Sequence, residues 1–289
     1  MKKGRLFSRA GAKRLTLDAI VQLVIWFFLV FAWLSMYLMV IKSVKSITQD
    51  QKYPYTPTLI DFGVMADNYR LAWLNIRQYI GNSFIITCAQ TAGSLIVPII
   101  TAFAFVRFRF PGKNIIFMAI LALMMIPGTL TLTSQYVIVY KFRLTNSFLG
   151  VILPGIASSI PMSLFLLRSF FGGVSKELFD AAEIDGANNA VTLFRIMVPL
   201  SMPIIAVLGI NSFMGSWNDY LWPSLVLLRG DMRPISVALV SFTDQYYNMT
   251  GAYSVSFAGY VISSIPLIVL FAACSKQFIE GISAGAFKM

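Results

Sequence analysis

"DAIVQLVIWFFLVFAWLSMYLMVI", residues 18–41, carries one charged residue, Asp18, at its edge. About 20 apolar residues take an α-helix across the hydrocarbon core of a bilayer. A helix also satisfies its own backbone amides and carbonyls where no water can. The run therefore reads as a membrane span. It exceeds the apolar region of a signal peptide, and no Ala-x-Ala-like site follows, so an uncleaved anchor is expected. Similar runs recur at 82–106, 114–140, 150–170, 200–225 and 254–278. The expected fold is an all-α integral membrane protein with six transmembrane helices over 18–278. Composition agrees, with 57% hydrophobic and 12% charged residues and a mean hydropathy of +0.74.

Charge orients the helices. Lys2, Lys3, Arg5, Arg9, Lys13 and Arg14 precede the first span with no acid among them, which marks residues 1–17 as cytoplasmic. Six spans return the C-terminus to the same side, so 279–289 is expected as a cytoplasmic tail. Arg107, Arg109 and Lys113 fall in the next inside loop and agree. The net charge of +11 follows from this topology better than from nucleic-acid binding, because no basic run is interleaved with aromatics in a soluble segment.

The chain has no histidine, the commonest general base, and its two cysteines, Cys88 and Cys274, lie within spans. Neither a disulfide framework nor a metal site is expected, nor a P-loop nucleotide site, since GxxxxGK[ST] is absent. No enzyme activity and no cofactor are expected on this chain.

Between spans, residues 42–81 form an outside segment in which "DNYRLAWLNIRQYI" (67–80) has the apolar spacing of a short interfacial helix. A second outside segment, 226–253, has an apolar stretch at 235–240 too short to span. Pro98, Pro127, Pro154, Pro161, Pro203 and Pro266 interrupt the spans. Such kinks are tolerated where neighbouring helices re-pair the freed carbonyls, often around a cavity.

"SKELFDAAEIDGANNAVTLFRIMVP", residues 175–199, places Glu177, Asp180, Glu183 and Asp185 between two apolar runs. An Asp at the centre of a span costs about 2.5–3.5 kcal/mol, so these acids together would cost on the order of 10 kcal/mol in a bilayer. The segment belongs in water, and the topology makes that water cytoplasmic. Its pattern is helix, turn, helix. Ser175 is placed as N-cap with Glu177 in the first turn. Leu178, Ala181, Ala182 and Asp185 share a shallow face. Gly186 ends the first helix in a left-handed conformation, and Asn188 or Asn189 caps the second. Val191, Phe194, Ile196 and Val198 are expected to pack toward the bundle, with Pro199 leading into the fifth span.

The string Asp180-Ala181-Ala182, three residues, Gly186, nine residues, Ile196, one residue, Val198-Pro199 resembles the EAA signature of permease subunits in binding-protein-dependent ABC importers. Asp180 stands where that signature has Glu, and Val198 where it has Leu. "SWNDYLWPSLVLLRGDMRPISVAL" (216–239) and "FIEGISAGAFKM" (278–289) are similar to the end of the fifth span and the tail of carbohydrate-type permeases, in particular the smaller maltose-permease-type subunit.

The resemblance implies that 175–199 is a coupling loop docked on a separate ATPase dimer, read through Glu177, Asp180, Ala181, Ala182, Glu183, Asp185, Gly186 and Pro199. It also implies a homologous second permease subunit, an extracytoplasmic binding protein, an oligosaccharide substrate, and a place in the inner membrane. Asn211, Ser212, Ser216, Asn218 and Asp219 are the candidate pathway residues. Asn211 and Asn218 are expected on one face, the rings of Trp217 and Tyr220 as flat apolar faces for sugar rings, and Trp222 in an interfacial aromatic belt. Lys42, Lys45, Lys52, Arg70, Arg77, Lys141, Arg143, Arg229 and Arg233 outnumber the acids of the outside segments, a surplus that would suit an acidic saccharide such as alginate or, equally, form a solvated rim. A polyamine or peptide importer is the neighbouring alternative. An ion-coupled carrier would want carboxylates near the midplane, and nearly all of them lie in loops.

Overall fold

A computed structural model of the chain describes residues 9–286, with side chains from 18 to 276 apart from Lys176. Every regular element among them is helical. Residues 1–8 and 287–289 of the expected terminal segments lie outside the described residues.

The expected spans appear with three corrections. Helix α1 (Arg9–Ser43) is the first span, and α2 (Ile47–Lys52) is a short turn opened by a capping box between Ser46 and Gln49. Helix α3 runs unbroken from Phe62 to Arg107, so the expected interfacial helix at 67–80 and the second span are one element. Gly81 is the weakest helix former at their junction. A single glycine costs only about 1 kcal/mol, too little to end a helix.

The expected single span at 114–140 is instead α4 (Lys113–Ala122), a 3₁₀ turn (Leu123–Met125) and α5 (Gly128–Lys141), bent by 105°. Ile126 sits in the extended region at φ −86° and ψ 117° because the ring of Pro127 disfavours helix at the residue before it. Helix α6 (Leu149–Gly172) absorbs Pro154 and Pro161.

Helix α7 (Lys176–Ile184) is followed by α8 (Asn189–Val191), a π-helical turn (Thr192–Met197) and α9 (Val198–Leu200). The chain then bends by 79° into α10 (Met202–Asn218). The expected span at 200–225 breaks at Asp219, and α11 (Leu221–Val226) is a separate turn. Helix α12 (Ile235–Thr250) precedes α13 (Ser254–Ala286), so most of the expected tail at 279–289 continues the last helix. Among the described residues, α1, α3, α6 and α13 are long and apolar enough to cross a membrane. The two bent pairs raise the number to six if each is one span.

The chain divides into two compact units, Met1–Trp73 with Thr243–Ile262, and Leu74–Phe242 with Ser263–Met289. In the first, Lys42 and Asp50 form an ion pair at 3.2 Å with side-chain exposures of 10% and 2%. The other Asp50 oxygen accepts from Tyr253 N–H at 2.6 Å, and the Lys42 ammonium faces the rings of Tyr55, Tyr253 and Phe257. Lys45 is fully buried and donates to the Tyr53 carbonyl. Burial pulls its pKa below the usual lysine value, with the Asp50 carboxylate opposing. Two of the cations expected to face an acidic saccharide are therefore consumed inside the fold.

The second unit has two apolar cores. One joins α3, α6, α7 and α10 through Ala102, Phe103, Leu167, Phe171, Phe179 and Leu208. The other joins Ile86, Val139, Val151, Ile152, Trp222 and Val226. Arg229, a third cation of the expected rim, is held in a two-point pair by Asp231.

Candidate functional site

Two features of the second unit stand out, a small acidic helix and a polar cavity. Ser175 sits at the N-cap of α7 in extended geometry but makes no side-chain capping bond. Gly186 ends the turn at φ +76°, the left-handed geometry expected of it, with open space where a Cβ would stand. Asn188 caps α8, its side chain accepting from Val191 N–H at 2.9 Å.

The two alanines part company. Residues advance about 100° per position around a helix. Phe179 and Ala182 are buried, and Glu183 lies beside them on the same face, reaching Arg107 at 2.6 Å. Glu177, Asp180, Ala181 and Ile184 fall on the other side, and Ile184 is 87% exposed. The shared face expected for Leu178, Ala181, Ala182 and Asp185 is corrected, because Phe179 is the large apolar side chain and takes Ala182 inward with it. Asp185 stays exposed.

The second half of the loop is also rotated from expectation. Thr192, Leu193 and Met197 are buried, Phe194 is exposed, and Val191, Ile196 and Val198 are only half-buried. The π-helical turn pairs i with i+5 and so holds more residues per turn than an α-helix. Side chains downstream then move off the face that a 3.6-residue period assigns. Pro199 lies at the N-terminal edge of α9, where its missing N–H costs no intrahelical bond.

The polar cavity has a volume of about 370 Å³. Asn211, Ser212, Ser216 and Asp219 reach it from the α10 side, and Gln90 of α3, Gln135 of α5 and Ser158 and Ser159 of α6 complete it. Ser216 Oγ donates to Thr87 Oγ1 at 3.3 Å. Asp219 Oδ1 accepts from Trp222 N–H at 3.3 Å, so its carboxylate also opens α11. Among the described residues, no Lys or Arg lines this cavity.

Three expectations change here. Asn218 does not line the cavity; its amide is exposed and bonds back to the Met214 carbonyl at 2.9 Å, because α10 ends at that residue. Trp222 is not an interfacial belt residue. It is 7% exposed, lines the cavity, and donates through Nε1 to the Gly150 carbonyl at 3.1 Å. Trp217 packs on Phe84 and Phe213 in the interior rather than offering a free ring face. Sequence reasoning missed Gln90, Gln135, Ser158 and Ser159. Each is a polar residue within an apolar run, a signal that was present but spread over three spans.

Residues 94–282 match the family described as binding-protein-dependent transport system inner membrane component. The chain is 32% identical over 235 residues to the arabinooligosaccharides transport system permease protein AraQ of Halalkalibacterium halodurans, covering 81% of each. It is 33% identical over 215 residues to the galactooligosaccharides transport system permease protein GanQ of Bacillus subtilis, covering 74% of this chain and 75% of that one. Its fold matches a chain in the crystal structure of a bacterial ABC transporter that imports the acidic polysaccharide alginate. The TM-score there is 0.77 at 19% identity, over 95% of this chain and all of the other. The chain belongs to the inner membrane components of binding-protein-dependent transport systems.

Proposed function

We propose that this chain passes an uncharged oligosaccharide through the cavity at Asn211, driven by ATP hydrolysis on partner subunits that dock against α7. The observation that carries this reading is the cavity itself. Amides and hydroxyls from four separate helices converge there in a chain that is otherwise strongly apolar. Such groups trade hydrogen bonds with sugar hydroxyls, and the buried Trp222 ring beside them offers an apolar wall. The oligosaccharide names of AraQ and GanQ support the same substrate class.

An acidic saccharide is disfavoured. Lys42 and Lys45 are buried in the fold, Arg229 is paired with Asp231 at the surface, and among the described residues the cavity lining presents one carboxylate and no cation. A polyamine is also a poor fit, since a polycation would want several carboxylates in place of amides.

On this reading the chain is non-enzymatic and holds no cofactor. It spans the inner membrane with both termini in the cytoplasm, and it works with a second permease subunit, an ATPase dimer and an extracytoplasmic binding protein. Outward-facing Glu177, Asp180, Ala181 and Ile184 form the surface offered to the ATPase, with Asp185 and the Gly186 turn beside it.

The test is thiol labelling of the assembled transporter in a background lacking Cys88 and Cys274. Asn211→Cys should react with a small water-soluble reagent and be protected when nucleotide or loaded binding protein locks the complex. Asn218→Cys should react without regard to state. Inertness at 211 in every state would remove the cavity from the transport path.

A further inference from the structure

The face of α7 turned toward the protein is anchored by a cation. Arg107, the last residue of α3, places Nη2 2.6 Å from Glu183 Oε2. Its guanidinium carbon lies 5.9 Å from the ring centroid of Phe179, one helical turn before Glu183. Phe179 is buried in the same core as Ala102 and Phe103 of α3. One guanidinium therefore grips two residues at i and i+4, beside an apolar plug. A cavity of about 400 Å³, lined by Val106, Arg107, Arg109, Lys113, Phe179 and Asp180 among others, adjoins this contact.

Arg107 ends the same helix that carries Gln90 to the polar cavity and Thr87 to Ser216. At 1.5 Å per residue, roughly 25 Å of continuous helix separates Gln90 from Arg107. We propose that Arg107 is a positioning residue that clasps the coupling helix through Glu183, so that displacement of α7 is carried along α3 to the cavity wall. Glu183 then serves this internal clasp and does not contact the ATPase. The proposal rests on the coupling role assigned to α7 above. Glu183 is largely exposed, so the pair is weak and exchangeable, and it sets an orientation more than it adds stability.

The experiment uses the whole complex in proteoliposomes and reads sugar transported per ATP hydrolysed, with melting temperature measured in parallel. Arg107→Glu, Glu183→Arg and the milder Glu183→Gln should each lower that ratio about two- to five-fold while the ATPase still co-purifies. Arg107→Glu combined with Glu183→Arg should recover most of the loss. A merely structural contact would move the melting temperature and the ratio together, whereas the clasp moves the ratio alone.

Unchanged ratios in the single variants, or no recovery in the exchange, would overturn the clasp. Loss of the ATPase from Glu183→Arg alone, not rescued by Arg107→Glu, would also overturn it by showing that Glu183 faces the partner; the coupling role of α7 would survive. Intact attachment and coupling in Asp180→Lys and Ile184→Glu would remove that role, and the clasp with it.

Discussion

Gly186 holds φ at +76°, where a Cβ costs about 1–2 kcal/mol, and nothing stands within 4 Å of the space a side chain would fill. Gly186→Ala should therefore weaken the turn by about that amount. Gly186→Pro, whose ring fixes φ near −65°, should abolish it. Expected readouts are a modest fall in sugar moved per ATP for alanine, and loss of coupling or of ATPase attachment for proline. Normal coupling in Gly186→Pro would show that the turn has no role. Gly155 makes a different prediction, because a Cβ there would come within 2.5 Å of the Gln90 carboxamide. Gly155→Val should push Gln90 out of place and reduce uptake without shedding the ATPase, as measured by transport and co-purification on one preparation. At this scale the EAA spacing of 180–199 was readable from sequence. The inward turn of Glu183 was not, because it depends on Phe179 docking α7 against α3.

Buried ion pairs and helix breaks govern the elements. Asp50 anchors α2 to Lys42 and to the Tyr253 amide, and removing it leaves a buried ammonium without its partner. Asp50→Ala should cost about 3–5 kcal/mol, seen as a lowered melting temperature and faster proteolysis of the first unit. Replacing both partners with apolar residues, Lys42→Met with Asp50→Leu, should be milder than the single change. Equal damage from both would mean that charge burial is not the cause. The spans themselves were legible because twenty apolar residues have few alternatives. Their interruptions were less so. Pro127 marked its bend in the sequence, but not the 105° angle. The π-helical turn at Thr192–Met197 left no sequence mark, and within it Leu193 and Met197 are buried while Phe194 is exposed.

For the whole molecule, membership of the importer family follows from a match over 94–282 and from relatives covered over most of their length. Substrate charge is the property on which the proposed function makes its sharpest claim. The cation count in the outside loops was the sequence's hint of an acidic saccharide; the fold buries Lys42 and Lys45 and pairs Arg229 with Asp231 at the surface, while Lys52, Arg70, Arg77, Lys141 and Arg143 stay exposed. A count of charges cannot distinguish those that face substrate from those that hold a fold together. The most direct test is uptake into proteoliposomes holding the complete transporter, with binding protein outside and ATP inside, comparing uncharged oligosaccharides with uronate oligosaccharides of equal length. ATP-dependent accumulation of the uncharged sugars, lost in Asn211→Ala more than ATPase attachment is, is the predicted result. Accumulation of uronates alone, or uptake driven by an ion gradient without ATP, would contradict it.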